Sequence, residues 1–300
     1  MKILSFDVGG TFIKCAVIDD KDGILNLEEY PYTKVGGDNI LSILENRIDF
    51  YKSAIDGIGI STAGLIDEEN GVVVLSSGGI PNYTGTKLKE IFENKYNLPV
   101  WVLNDVNAAA LGEAHYGAGK EYNDFICLTY GTGVGGAIVI NKEVYGGKNG
   151  FAGEIGHTVT HLHGKQCACG LYGCYNDYAS TKALVENCKN IDKNITNGKD
   201  VFNAFNNNFK IKEQVDLWIN EVIYGLVTVV HIFNPPALIL GGGVMSQRYI
   251  IDEINNKLKD SILSGYKDVI VLPAMLGNSA GLMGAAYNTL KRMTKNKKIS

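Results

Sequence analysis

Two glycine-rich turns, each set between apolar runs of strand length, recur about 120 residues apart, and this recurrence limits the fold more than any other feature of the chain. The first joins Ile3 to Asp7 with Phe12 to Ile18 through Gly9-Gly10-Thr11. The second joins Phe125 to Tyr130 with Ala137 to Ile140 through Gly131-Thr132-Gly133-Val134-Gly135-Gly136. Apolar runs broken by glycine read as hairpins. In DVGGTFIK the glycines let backbone N–H groups face an anion, Thr11 adds a hydroxyl, Lys14 adds charge, and Asp7 can hold Mg²⁺ through water. The spacing is not that of a Walker loop, and a strand rather than a helix follows. Either turn alone is an ordinary hairpin turn. Together they imply two related halves, each lending a loop to one nucleotide: Asp7, Gly9, Gly10, Thr11 and Lys14 from one, Gly131, Thr132 and Gly133 from the other.

The segments between these turns alternate strand and helix, which predicts an α/β protein. Asn39 to Ser53 carries a helical pattern, Ile55 to Ser61 is a buried-strand run, and Val72 to Leu75 is a short strand leading into the loop Ser76 to Gly79. Leu88 to Tyr96 reads as a helix, and Val100 to Leu103 as a strand that delivers Asn104 and Asp105 at its carboxyl end. Open α/β sheets place their chemistry there. Asp105 could equally cap the Ala-rich helix Ala108 to Tyr116. Further on, Thr181 to Lys189 and Glu213 to Phe233 are predicted helices, separated by the polar stretch Ile191 to Lys210, in which Asn206 to Asn208 reads as a solvated turn. The strand Ala237 to Leu240 enters Gly241-Gly242-Gly243-Val244, where glycines allow a flat ring or a phosphate to lie on backbone. Tyr249 to Ser264 (helix), Val269 to Leu272 (strand) and Ala280 to Met293 (helix) complete the pattern.

Gly150 to Ser180 is different in kind. Cys167, Cys169 and Cys174 follow His157 closely enough for a Cys₃His set to close a tetrahedral site around one Zn²⁺, with Gly170 and Gly173 supplying tight turns. Three buried thiols beside an unrelated histidine are the other reading. Glu154 precedes His157 by three residues, so a metal that fixes the histidine also aims this carboxylate at a nearby cleft. Cys15, Cys127 and Cys188 are scattered in apolar surroundings, which suits a reducing compartment better than a disulfide framework. A net charge of -4 without blocks of one sign argues against nucleic acid as a partner, and the basic tail Lys291 to Lys298 reads as a solvated end. No apolar run reaches the roughly 18 residues a membrane span needs and no signal peptide precedes Ile3, so a cytoplasmic protein is expected.

With the pieces in order, the chain resembles the ROK-family sugar kinases from Met1 to about Leu290. DVGGT is similar to that family's first phosphate loop, LNDVNAAALGE to its catalytic segment, YGTGVGGAIV to its second phosphate loop, GFAGEIGH with CACGLYGC to its sugar and zinc motif, and LGGGV to its adenosine loop. The resemblance implies a duplicated, two-lobed, actin-like (ribonuclease H-like) ATPase fold with a zinc loop. Its small lobe would be residues 1–116 with a C-terminal helix of about 281–300, and its large lobe 117–280 with zinc loop 157–174. The implied reaction moves the γ-phosphoryl group of ATP, with Mg²⁺, to the 6-hydroxyl of a hexose. Asp105 is the implied general base, and Asn104, Glu154 and His157 the implied contacts to sugar hydroxyls. Gly64 and Ser77 fall at similar sugar-contact positions, and by the same resemblance Gly241, Gly242 and Gly243 would line the adenosine. The resemblance also implies that His157 ligates structural zinc with Cys167, Cys169 and Cys174. A homodimer is the implied assembly.

One position departs from the pattern. After the last zinc cysteine, the family's glucose and acylmannosamine kinases place a Glu that contacts the sugar near C1; Asn176 stands here, with Asp177 beside it. An amide cannot accept two hydrogen bonds from a diol as a carboxylate does. The C1 side is then open to an aglycone, as in the β-glucoside kinases the chain also resembles, or Asn176 or Asp177 takes over the contact. The family also includes sugar-responsive repressors with a helix-turn-helix ahead of this fold. Asp7 lies too near the amino terminus for that extension, and a DNA-binding charge footprint is missing.

Overall fold

The computed structural model describes residues 1–10, 12–31, 36–76 and 80–297, with backbone alone at 296 and 297. The chain divides into two compact units, Met1–Lys120 with Lys142–Ala152 and Asn278–Ser300, and Glu121–Asn141 with Gly153–Gly277.

The first unit is built on a sheet of order β3-β2-β1-β4-β7, in which β1 (Lys2–Val8) is antiparallel to β2 (Phe12–Asp19) and parallel to β4 (Gly57–Thr62). β3 (Gly23–Pro31) forms one edge, and β7 (Val100–Asn104) lies parallel to β4 at the other. Every residue of β4 is buried, as a parallel strand covered on both faces requires. One cover is α1 (Gly37–Tyr51) with α2 (Leu88–Tyr96), whose Ile40, Leu44, Ile48 and Phe92 share a core with Leu4, Phe6, Ile58 and Ile60. The short hairpin β5 (Leu65–Asp67) and β6 (Val72–Leu75) precedes α2 in the chain, and α3 (Asp105–Tyr116) follows β7 directly. The last helix of the chain, α9 (Ala280–Lys297), provides the other cover. It packs on α3 through small residues: a Cβ at Gly284 would lie 1.7 Å from Ala108 O, and one at Gly112 2.4 Å from Ala280 O.

The second unit repeats the strand pattern. β8 (Phe125–Tyr130) is antiparallel to β9 (Val134–Ile140) and parallel to β11 (Ala237–Gly241), which is parallel to β12 (Ile270–Pro273). This is the relation of β1 to β2, β4 and β7, so the recurrence of glycine turns reflects two copies of one topology. The helices of this unit are α4 (Asn176–Ala179), α5 (Thr181–Lys189), α6 (Gly198–Phe205), α7 (Phe209–Phe233) and α8 (Arg248–Ser261).

The structure corrects three expectations. The polar stretch Ile191 to Lys210 contains α6, and two of its asparagines, Asn197 and Asn208, are side-chain caps of α6 and α7, while Asn206 and Asn207 lie in the exposed turn expected of them. The expectation that no apolar run reaches membrane-spanning length fails at α7. It has 25 residues with a window of mean hydropathy 1.4, half of that window being buried in the protein. Ten of its residues, among them Trp218, are core positions, and Trp218 Nε1 donates to Ala179 O and Ser180 O. Finally, residues Lys142–Ala152, expected in the larger lobe, belong to the first unit. β10 (Glu143–Val144) lies there, and Lys142 Nζ donates to Ala114 O at 3.0 Å, Gly119 O at 2.9 Å and Lys120 O. An ammonium anchored on three carbonyls at the end of α3 is a tertiary contact with no sequence period.

Candidate functional site

β7 ends and α3 begins at Asn104-Asp105. Asn104, not Asp105, is the N-cap: its Oδ1 accepts from the N–H groups of Val106 (2.9 Å) and Asn107 (3.1 Å). Its Nδ2 donates to Gly64 O and to Asp105 Oδ1, both at 3.0 Å. Both donors and both lone pairs of the amide are therefore engaged within the unit, and the sugar contact expected of Asn104 competes with bonds that shape the site. Asp105 Oδ1 also accepts from Val106 N at 3.0 Å. Gly64, at φ 119, is in a backbone region that favours glycine and presents its carbonyl to Asn104.

Sequence reasoning missed Glu68. Its Oε1 accepts from Asn104 N at 3.3 Å and Asn107 Nδ2 at 2.9 Å, tying the β5 hairpin to the start of α3. Burial raises its pKa, opposed by those hydrogen bonds and by Arg292. An acidic residue in a turn next to other acidic residues carries no sequence signal for this role.

In the first glycine turn, Gly9 N donates to Phe12 O at 3.1 Å. Asp7 Oδ1 accepts from Ser61 Oγ at 2.8 Å, and its other oxygen lies 4.0 Å from Lys14 Nζ, which donates to Asn278 O. Burial pushes the Asp7 carboxyl above its ordinary range, with Ser61 and Lys14 pulling the other way. A divalent cation would relieve that burial cost, so the group fits an outer-sphere Mg²⁺ ligand. Thr11 and Ser77 lie outside the described residues.

In the second unit, Gly131 N donates to Gly133 O at 2.8 Å to close the turn at Thr132, which is exposed. Asn176 Oδ1 accepts from Val134 N at 2.7 Å. Of Gly241, Gly242 and Gly243, the fold itself demands glycine at Gly242, where φ is 113 and a Cβ would lie 2.1 Å from Tyr130 O. Gly10, Gly131 and Gly243 have ordinary φ, and an added Cβ would meet nothing within 4 Å. Gly265 in a surface turn shares this property, but only these three occupy the turns suited to phosphate or base. The packing of the fold therefore does not require glycine at these three positions.

His157 closes a short 3-10 turn, Ile155–His157, that follows Glu154. A Cβ at Gly156 would lie 2.0 Å from Val134 O, so the turn sits directly on β9. One ligand atom from each of His157, Cys167, Cys169 and Cys174 lies within 4.8 Å of the others. His157 Nδ1 is 3.8 Å from Cys167 Sγ, and the sulfurs of Cys169 and Cys174 are 3.7 Å apart. Metal bonds of about 2.3 Å in a tetrahedron put neighbouring sulfurs about 3.8 Å apart, so the set fits zinc. Burial pushes the Cys167 thiol up to about 12, and a bound Zn²⁺ would reverse that by favouring thiolates. With Nδ1 toward the metal position, His157 Nε2 lies 4.0 Å from Glu154 Oε2. Desolvation raises the Glu154 carboxyl and His157 lowers it. Asp177, the alternative sugar contact, buries its Oδ2.

The duplicated sheet with a glycine turn after the first strand of each copy defines an actin-like (ribonuclease H-like) ATPase fold. The ROK family matches residues 3–292, and the chain belongs to that family. It is 30% identical to a beta-glucoside kinase of Listeria monocytogenes, over 97% of this chain and 98% of that protein. It is 29% identical to a xylose repressor of Bacillus subtilis, over 94% of this chain and 75% of the repressor. The crystal structure of a ROK family glucokinase from Streptomyces griseus in complex with glucose and AMPPNP matches with a TM-score of 0.86 and 29% identity, covering 97% of this chain and 100% of that one.

Proposed function

We propose that this chain is a cytoplasmic, homodimeric, ATP-dependent hexose kinase of the glucokinase kind, transferring the γ-phosphoryl group to the sugar's 6-hydroxyl. The observation that carries the reading is the division of labour at α3: Asn104 caps the helix, so capping does not account for Asp105. A primary hydroxyl is a poor nucleophile, and a carboxylate fixed by Asn104 Nδ2 and Val106 N–H is suited to orient it and accept its proton. Backbone N–H groups at Gly9-Gly10-Thr11 and Gly131-Thr132-Gly133 hold the phosphates, Lys14 adds charge, and Gly241-Gly242-Gly243 takes the adenosine. Mg²⁺ brought with ATP would neutralise phosphate charge, with Asp7 holding it through water. Glu154 and His157 hold sugar hydroxyls with Gly64 and Ser77, while His157, Cys167, Cys169 and Cys174 hold Zn²⁺ as a structural ion. The exposed apolar residues Leu217, Tyr224 and Ile232 on α7 support the dimer.

The second reading is a β-glucoside kinase, favoured by Asn176. Its oxygen is bound to Val134 N, so no acid group is left there that requires a free anomeric hydroxyl. An ADP-release screen of glucose, methyl β-glucoside, cellobiose, N-acetylmannosamine, N-acetylglucosamine and fructose tests both. ADP formed with a free hexose supports the first reading and ADP formed mainly with β-glucosides the second. Sugar binding without ADP release from any of them would replace both with a non-catalytic, sugar-responsive role.

A further inference from the structure

Asn176 begins α4, two residues after the zinc ligand Cys174, and its side chain reaches the second glycine turn. Its partner there is the N–H of Val134, the first residue after Gly131-Thr132-Gly133. A backbone N–H can bond only the oxygen of an amide, so the donor fixes which way the group faces. Gly133 completes the fit: a Cβ there would lie 2.7 Å from Asn176 Oδ1, so residue 133 must be glycine for the amide to reach Val134. The other end of the turn is tied by the neighbouring residue. Tyr175 OH lies 2.8 Å from Tyr130 OH and donates to Val222 O at 2.7 Å, in a fully buried pair. Thr181 Oγ1 donates to Tyr130 O at 2.9 Å, and Lys182 N to Gly131 O at 3.2 Å. The turn is thus gripped at both of its strand ends by the segment that leaves the cysteine loop.

We propose that Asn176 is a positioning residue of the nucleotide-phosphate turn, setting the direction of the backbone N–H groups at residues 131–133 rather than gripping sugar. The proposal rests on the kinase reading, through the assignment of that turn to phosphate. Removing the amide leaves the Val134 N–H without its acceptor and lets the turn relax, which costs nucleotide affinity and spares the sugar. An aspartate at 176 keeps an oxygen in reach of the same N–H and restores it.

The test is calorimetric titration with Mg-ADP alone, and separately with the best sugar from the ADP-release screen alone, on wild type, Asn176→Ala and Asn176→Asp. The expected result is a loss of ADP affinity of about three- to tenfold in Asn176→Ala, recovery of most of it in Asn176→Asp, and unchanged sugar affinity in both. If Asn176→Ala does not fold, Gly133→Ala, which presses a methyl group onto the same amide, is expected to give the same nucleotide-selective loss. Weakened sugar binding with unchanged ADP affinity overturns the proposal and leaves the kinase reading standing. Wild-type protein that binds no ADP overturns the kinase reading and this proposal with it.

Discussion

Asn104 Nδ2 lies 3.0 Å from Asp105 Oδ1, while Asn104 Oδ1 accepts from the N–H groups of Val106 and Asn107. One amide thereby starts the helix and orients the carboxylate beside it. Stability and chemistry at this corner have separable signatures.

Asp105→Asn keeps the shape and an acceptor oxygen for Asn104 but cannot take a proton. Turnover is expected to fall by about 10²- to 10⁴-fold, with sugar affinity within about twofold of wild type. Single-turnover kinetics under saturating ATP and sugar measure it. Retention of more than half the rate would remove Asp105 from the role of base.

Asn104→Ala removes both the cap and the grip on Asp105. A stability loss of about 0.5–2 kcal/mol is expected in denaturant unfolding, together with a fall in kcat. Asn104→Asp preserves the capping oxygen but offers no donor to Asp105. It should therefore recover the stability without recovering kcat, and equal recovery of both would show the grip to be irrelevant.

Glu68 gives a pH signature. Its folded-state pKa lies above the ordinary 4.5, so the fold favours the protonated carboxyl. That contribution is complete below the unfolded pKa and is lost as pH rises through the folded one. Glu68→Gln mimics the protonated form, so its stability relative to wild type should increase as pH rises above about 4.5. A difference between the two melting curves that does not change with pH would refute this.

Purified protein is expected to carry close to one zinc per chain by metal analysis, and Cys169→Ser to lose it. Because Gly156 beside His157 packs on Val134 O and Cys174 leads into Tyr175 and Asn176, metal loss should also lower the melting temperature. An apo-protein as stable as the zinc form would contradict that coupling.

The parts of the fold visible in the sequence were those with a local cause. Glycine turns between apolar runs marked β1/β2 and β8/β9, and the β7 run ended at Asn104-Asp105. Spacing alone brought out the Cys₃His set. β3 was missed because its burial alternates weakly along an exposed edge, and α6 because it buries only Val201. Which of two adjacent polar residues caps α3 depends on backbone direction at the strand end, and both types are good caps. Glu68, Lys142 and the Asn176 to Val134 bond depend on residues 36, 22 and 42 positions away, respectively, so no local pattern could mark them.

The passage of α9 back onto the first sheet makes the first unit depend on the end of the chain. β1 is made first, yet its sheet lacks one of its covers until residues Asn278–Ser300 have been synthesised, whereas the second unit is complete at Gly277. A chain ending at Gly277 therefore contains the whole second unit but a first unit short of one cover. Protein truncated after Gly277 should show a protease-resistant second unit and a digestible first one. Full-length protein should protect both, and resistance of the first unit without α9 would disprove the dependence.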